Sequence, residues 1–188
     1  MSHNGDFELG LALTARAAEL MDGLDMPWDR AANGLLAARA AISSGDRERS
    51  AETAASVTAC LRLVDDPWLQ VRGDAMLGEL ARLQHRFSDA VAHLLRTTDV
   101  CRRRSYTQTE AYQTASLGRA QCLAGDPESG VATLGRSIDK AEAIGDMRMA
   151  ALARIHFGRV SRGLERTVEA RSALEKAVSW QRYAGGGE

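Results

Sequence analysis

The 188 residues carry 24 basic and 25 acidic side chains for a formal net charge of −1, so no field over the whole molecule draws in nucleic acid or an anionic membrane. Aromatic residues make up only 5% and prolines number three, against 32 alanines. That is too little β-branched and aromatic material for a sandwich or barrel, and it suits closely packed helices. No run of about 18 apolar residues is present to span a bilayer. The opening MSHNGDF lacks the basic and apolar stretches of a signal peptide.

A period of 40 residues organises the elements. Gly5-Asp6-Phe7 stands in one turn column with Gly45-Asp46-Arg47 and Gly125-Asp126-Pro127, and a first helix is predicted near 7–23. Pro27-Trp28, with Asp25 before it, opens a helix near 27–43, since Pro suits a first turn and Asp a cap. The turn at Gly45-Asp46 leads to a helix near 47–63, and Asp65-Asp66-Pro67-Trp68 opens the next near 67–83. His85-Arg86 stands in the first turn column and precedes a helix near 87–103, followed by one near 107–123. Gly125-Asp126 leads to 127–143, Gly145-Asp146 to 147–163, and Glu165-Arg166 to 167–183. Helices A are therefore 27–43, 67–83, 107–123 and 147–163, and helices B are the other five.

The columns inside the helices have a packing reason. Leu77-Gly78, Leu117-Gly118 and Phe157-Gly158 are 40 residues apart, with Ala37-Ala38 one unit earlier. Small residues recur at Ser50, Ala90, Gly130 and Ala170, and larger ones at Leu94, Leu134 and Leu174, with Ala54 in the first unit. The small positions let helix A approach helix B, and the large ones fill the space between units. No hairpin buries its apolar face alone, so stacking makes the array stable.

The Leu-Gly pair, the turn, the small residue twelve positions after the Gly and the large one four further on resemble the tetratricopeptide repeat (TPR), best at Leu77-Gly78, Phe87, Ala90 and Leu94. Leu117-Gly118, Gly125 and Leu134 also fit, as do Phe157-Gly158, Ala170 and Leu174. The family's unit is about 34 residues; the longer unit here, without most consensus aromatics and the closing proline, resembles the 40-residue MalT-type variant. The resemblance implies an all-α fold, a TPR-like α-α superhelix of about nine helices in antiparallel pairs. Segments such as DPWLQVRGDAMLGELARLQHRF and GDMRMAALARIHFGRV are also similar to the C-terminal repeats of actinobacterial regulators, of the SARP type and the large ATP-binding LuxR type. Residues 1–188 are expected to form one repeat domain, with units near 5–24 (partial), 25–64, 65–104, 105–144 and 145–188. Starting at a turn and stopping at Tyr183-Ala184-Gly185-Gly186-Gly187-Glu188, it is expected to be a segment of a longer protein, able to form homodimers through uncapped ends.

Chemistry is sparse. There is no Gly-rich phosphate loop. His3, His85, His93 and His156 lack metal spacing, with His85 and His93 eight apart in different helices. Cys60, Cys101 and Cys122 read as reduced, buried thiols of a cytoplasmic protein. Arg102-Arg103-Arg104 reads as a solvated C-terminal turn, and the scattered acids as solvated faces. The expectation is no catalysis, no cofactor and no metal. What the resemblance implies is a surface: in TPR-like stacks the A helices line a concave face that recognises peptides or small ligands. Arg39, Glu79, Arg119 and Arg159 form one column on that face, Arg82 and Arg162 the next, with Tyr112 and His156 beside them. Arginines one repeat apart suit a carboxylate-bearing peptide or an acidic partner, including another domain of the same parent chain; they equally suit a solvated face. No nucleic-acid or membrane contact is expected, and small-inducer sensing is the alternative function.

Overall fold

The computed structural model describes the backbone of residues 4–185 and side chains over 7–180. His3, Gly186, Gly187 and Glu188 lie outside the described residues, as does the side chain of Tyr183. The described residues form helices and no strand: α1 (Asn4–Leu20), α2 (Pro27–Ser44), α3 (Arg47–Leu61), α4 (Pro67–Leu83), α5 (Phe87–Arg103), α6 (Thr107–Leu123), α7 (Pro127–Ala143), α8 (Met147–Gly163) and α9 (Thr167–Gly185). From α4 to α8 each helix has the expected bounds.

The turns keep the 40-residue register because their closure is local. His85, Ser105, Gly125, Gly145 and Glu165 take left-handed φ values of 59°, 56°, 93°, 73° and 61°. Each next N–H returns to the carbonyl five residues back: Arg86 to Ala81 at 2.9 Å, Tyr106 to Cys101 at 2.9 Å, Asp126 to Gln121 at 3.0 Å, Asp146 to Ala141 at 2.8 Å and Arg166 to Ser161 at 2.9 Å. This six-residue closure satisfies carbonyls that a helix end leaves without partners. His85 accordingly lies in a turn and not in a helix.

Three expectations are corrected at the other ends. Gly5, Asp6 and Phe7 lie inside α1, so no turn stands there. The turns at 125 and 145 depend on bonding back to the helix before them, and a Gly-Asp dipeptide alone does not impose one. Asp25 does not cap α2; Met26 holds the cap position without a side-chain bond. Helix α3 ends at Leu61, short of 63. There Gln70 Nε2 donates to Leu61 O at 2.8 Å and to Val64 O at 2.9 Å, so a side chain takes over the task of the left-handed closure.

The aspartates before α3, α4, α7 and α8 do cap them. Asp46 Oδ1 accepts from Glu48 N at 2.9 Å and Arg49 N at 3.1 Å, Asp66 Oδ1 from Trp68 N at 2.8 Å and Leu69 N at 2.9 Å. Asp126 Oδ1 accepts from Ser129 N at 3.1 Å and Asp146 Oδ1 from Met149 N at 2.9 Å. Successive A helices share these caps: Trp28 Nε1 donates to Asp66 at 3.3 Å and Gln108 Nε2 to Asp146 at 3.4 Å, the same contact two units apart. Asp146→Ala is expected to cost about 1 kcal/mol in urea denaturation. The caps also set an acid limit. The Leu69 N–H holds the Asp66 carboxyl below its ordinary value, and the Ser129 side chain and N–H do so for Asp126. A depressed folded pKa contributes stability above the unfolded value and loses it as pH falls through the folded one. The melting temperature should therefore hold from neutral pH to about 5 and fall below about 4.

Two compact units divide the chain, Met1–His93 and Leu94–Glu188. In the first, α2 packs on α1, α3 and α4, and α3 on α4, around Leu35, Ala38, Val57, Leu61, Leu69 and Leu80. In the second, α7 packs on α6 and α8, α8 on α9, and α6 on α8, around Ala111, Ala115, Leu134, Met149 and Ala153. Each unit thus shows the repeat rule, an A helix touching both its hairpin partner and the next A helix. The small columns are buried as expected, at Ser50, Gly78, Ala90, Gly118, Gly130, Gly158 and Ala170.

Candidate functional site

In the first unit, Trp28, Leu36 and Arg39 recur along one face of α2 and are exposed, and Trp68 is exposed on the neighbouring α4. Glu79 and Arg82 are brought together: Arg82 Nε donates to Glu79 Oε2 at 2.8 Å, and their side chains are only 20% and 16% exposed for Arg82 and Glu79. Of the expected residues on this unit, Arg39 is thus presented to solvent while Glu79 and Arg82 neutralise each other. The first-turn position of the two tryptophans does not by itself say how far each ring is covered.

The second unit has a different character. Tyr112 is exposed and Arg119 half-buried on α6; His156 is half-buried and Arg159 and Arg162 exposed on α8. Arg148 and Leu152 share that face of α8, two turns and one turn before His156, and are exposed as well. The repeat register held the signal for both, since they stand 40 residues after Gln108 and Tyr112. Helix α8 contains four arginines, one histidine and no carboxylate. Its remaining arginine, Arg154, is buried and forms an ion pair with Glu142. The single acid of α6, Glu110, faces inward. Asp146 sits before α8 with one carboxylate oxygen engaged in capping.

Glu110 corrects the expectation that the acids form solvated faces. It is 6% exposed, with Lys140 Nζ 3.0 Å and Arg102 Nε 3.5 Å from Oε1. No hydrogen bond of good geometry reaches that oxygen. The repeat register held the signal: the equivalent position in the next unit is Ala150, fully buried. Arg102 and Arg103 are exposed at the end of α5, as expected, and pair with Asp99 at 4.0 and 3.0 Å.

The remaining chemistry-bearing groups are few. His93 Nδ1 lies 2.8 Å from Asp74 Oδ1, a pairing across 19 residues that no spacing rule suggests. Of the thiols, Cys101 is buried, and burial pushes it up to about 11, so it stays protonated and unreactive at neutral pH. Cys60 and Cys122 are only half-buried, against expectation. Among the described residues no group of three metal-ligating side chains occurs, and no helix is long and apolar enough to cross a membrane.

No family model and no curated protein matches the sequence. Solved structures do. The TPR-like repeats of a candidate kinesin light chain from Podosopora anserina, in a point-substituted form, superpose with a TM-score of 0.77 at 16% identity, covering 98% of this chain and 91% of that one. A second structure of those repeats gives 0.74 at 16% identity, covering 96% and 90%. BtubC (BKLC) from P. vanneervenii gives 0.69 at 12% identity, covering 94% and 71%. Identities this low establish architecture alone, and together with the packed helical hairpins they show that this chain has the fold of a TPR-like repeat solenoid.

Proposed function

We propose that the chain is a non-catalytic protein- or peptide-binding scaffold, and that the exposed face of α6 and α8 takes an acidic segment. One observation carries this reading: α8 presents Arg148, Arg159 and Arg162 beside half-buried His156 with no carboxylate in the helix. Guanidinium forks bind carboxylates bidentately, and an unopposed set of them on one helix face draws in negative charge. Tyr112 and Leu152 give the same face exposed apolar surface. Arg119, half-buried on α6, stands one repeat before Arg159.

A fluorescein-labelled decapeptide rich in Asp and Glu tests it by anisotropy. Arg159→Glu with Arg162→Glu is expected to weaken binding at least about tenfold, as is Arg119→Ala with Arg159→Ala, and added salt to weaken it further. Equal affinity for the charge-reversed protein would sink the proposal.

We infer further that these repeats serve a bacterial, cytoplasmic transcriptional regulator, binding another protein or another domain of the same parent chain. The support is the resemblance of segments 66–87 and 145–160 to actinobacterial regulators of the SARP and LuxR types. Small-molecule sensing is the second reading, favoured by a hollow among α1, α2 and α3.

A further inference from the structure

A hollow of about 330 Å³ opens in the first unit, walled by Leu11, Met21, Gly34, Ala37 and Cys60, with Arg30 at its edge. The repeat register accounts for the hollow. Ala37 occupies the column of Leu77, Leu117 and Phe157, and Gly34 that of Asp74, Thr114 and Arg154. On the facing helix, Thr14 stands in the column of Leu94, Leu134 and Leu174. In the second unit the matching helix pair, α7 and α8, carries buried Leu134 and half-buried Phe157 at those positions. Three shortened side chains therefore remove the volume that fills a later hairpin.

The walls and the edge define a ligand. Thr14 Oγ1 turns back on the carbonyls of Gly10 and Leu11 at 3.1 and 2.9 Å, and Asn33 Nδ2 donates to Thr14 O at 2.9 Å, so these polar groups are occupied and the walls, Ser56 apart, are mostly apolar. Arg30 faces Asp22 at 3.8 Å, beyond hydrogen-bonding distance, and Asp22 is 84% exposed. The guanidinium is thus open to a better-placed anion. The volume lies at the lower end of small-ligand pockets, which pair apolar walls with a few placed polar groups.

We propose that this hollow binds a small, mostly apolar, free monocarboxylate, its chain against Leu11, Met21, Ala37 and Cys60 and its carboxylate on Arg30. The site is separate from the peptide face of α6 and α8, and it deepens the small-molecule reading by naming the ligand class. Peptide binding can fail while this site stands, and the reverse.

Decanoate is the probe, with iodoacetamide labelling of Cys60 followed by peptide mapping as the local readout. Saturating decanoate is expected to slow Cys60 labelling several-fold while Cys122 labelling is unchanged. Decanol, with the same chain and no charge, should bind about tenfold more weakly, and Arg30→Gln should impose that loss on decanoate while sparing decanol. Ala37→Leu restores the residue of its column; it should raise the melting temperature and abolish the protection of Cys60. Unprotected Cys60 in the wild-type chain, or equal protection in folded Ala37→Leu, would overturn the proposal.

Discussion

Replacing Gly130 with alanine is expected to cost the second unit about 1–3 kcal/mol, more than most single methyl additions to a helix. A Cβ there would stand 2.7 Å from Gly118 O and nearer still to Cys122 Sγ. The thiol can swing aside, but the carbonyl belongs to the backbone of α6. Room for the methyl therefore requires α6 and α7 to separate, which loosens the contacts of buried Leu134. The crossing is reciprocal, since a Cβ on Gly118 would meet Gly130 O at 2.9 Å and Leu134 Cγ at 2.8 Å. Gly163 is the control, because nothing lies within 4 Å of a Cβ added to it. Gly163→Ala should be neutral or slightly stabilising, as helix propensity favours alanine. Urea denaturation of the pair reads the difference, and in thermal melts it corresponds to about 2–4 °C per kcal/mol for a chain of this size. Equal stability of Gly130→Ala and the wild type would mean that α6 and α7 do not cross this closely.

Lys140→Met is expected to cost about 1–3 kcal/mol at neutral pH. Breaking a fully buried ion pair typically costs about 3–5 kcal/mol, because one charge is left without compensation. The discount follows from exposure: the Glu110 side chain is 7% exposed, but those of Lys140 and Arg102 are 38% and 66% exposed, so water and Arg102 retain part of the compensation. Methionine keeps the length and apolar stem of lysine, which restricts the loss to charge. Adding Glu110→Gln to Lys140→Met should recover stability, with a coupling of about 1–2 kcal/mol in a double-mutant cycle. A coupling near zero would show that the charges do not support one another.

Much of the architecture was legible in the sequence because its determinants are local. A helix end closed five residues back, an Asp accepting from N–H groups two and three residues on, and a Pro in the first turn all act within one or two turns of chain. Repetition at 40 residues then multiplies each local signal, which is why α4 to α8 have the bounds the spacing implies. Gly5-Asp6 and Asp25 depart from the pattern for one reason: a residue type makes a turn or a cap only with the neighbouring backbone groups that complete it.

The candidate binding face was legible only in outline. The columns placed Arg39, Glu79, Arg119 and Arg159 on A helices, but whether a charge is presented depends on what stands beside it. Glu79 closes on Arg82, and the exposed face of α2 presents Trp28, Leu36 and Arg39. Helix α8 carries no carboxylate of its own, and Arg159 and Arg162 are exposed, joined by Arg148 and Leu152.

What the sequence determined by itself is the helical hairpin, its period and the small-residue crossings at Gly118–Gly130 and Gly158–Ala170, since these follow from helix geometry, turn chemistry and residue size. What only the tertiary structure decided is which polar groups go inside and where volume is missing. Glu110 meets Lys140 thirty residues on, His93 meets Asp74, and Ala37, Gly34 and Thr14 leave a hollow that no neighbour fills. Burial and voids depend on side chains from separate helices arriving at one place, and no single stretch of chain encodes that meeting.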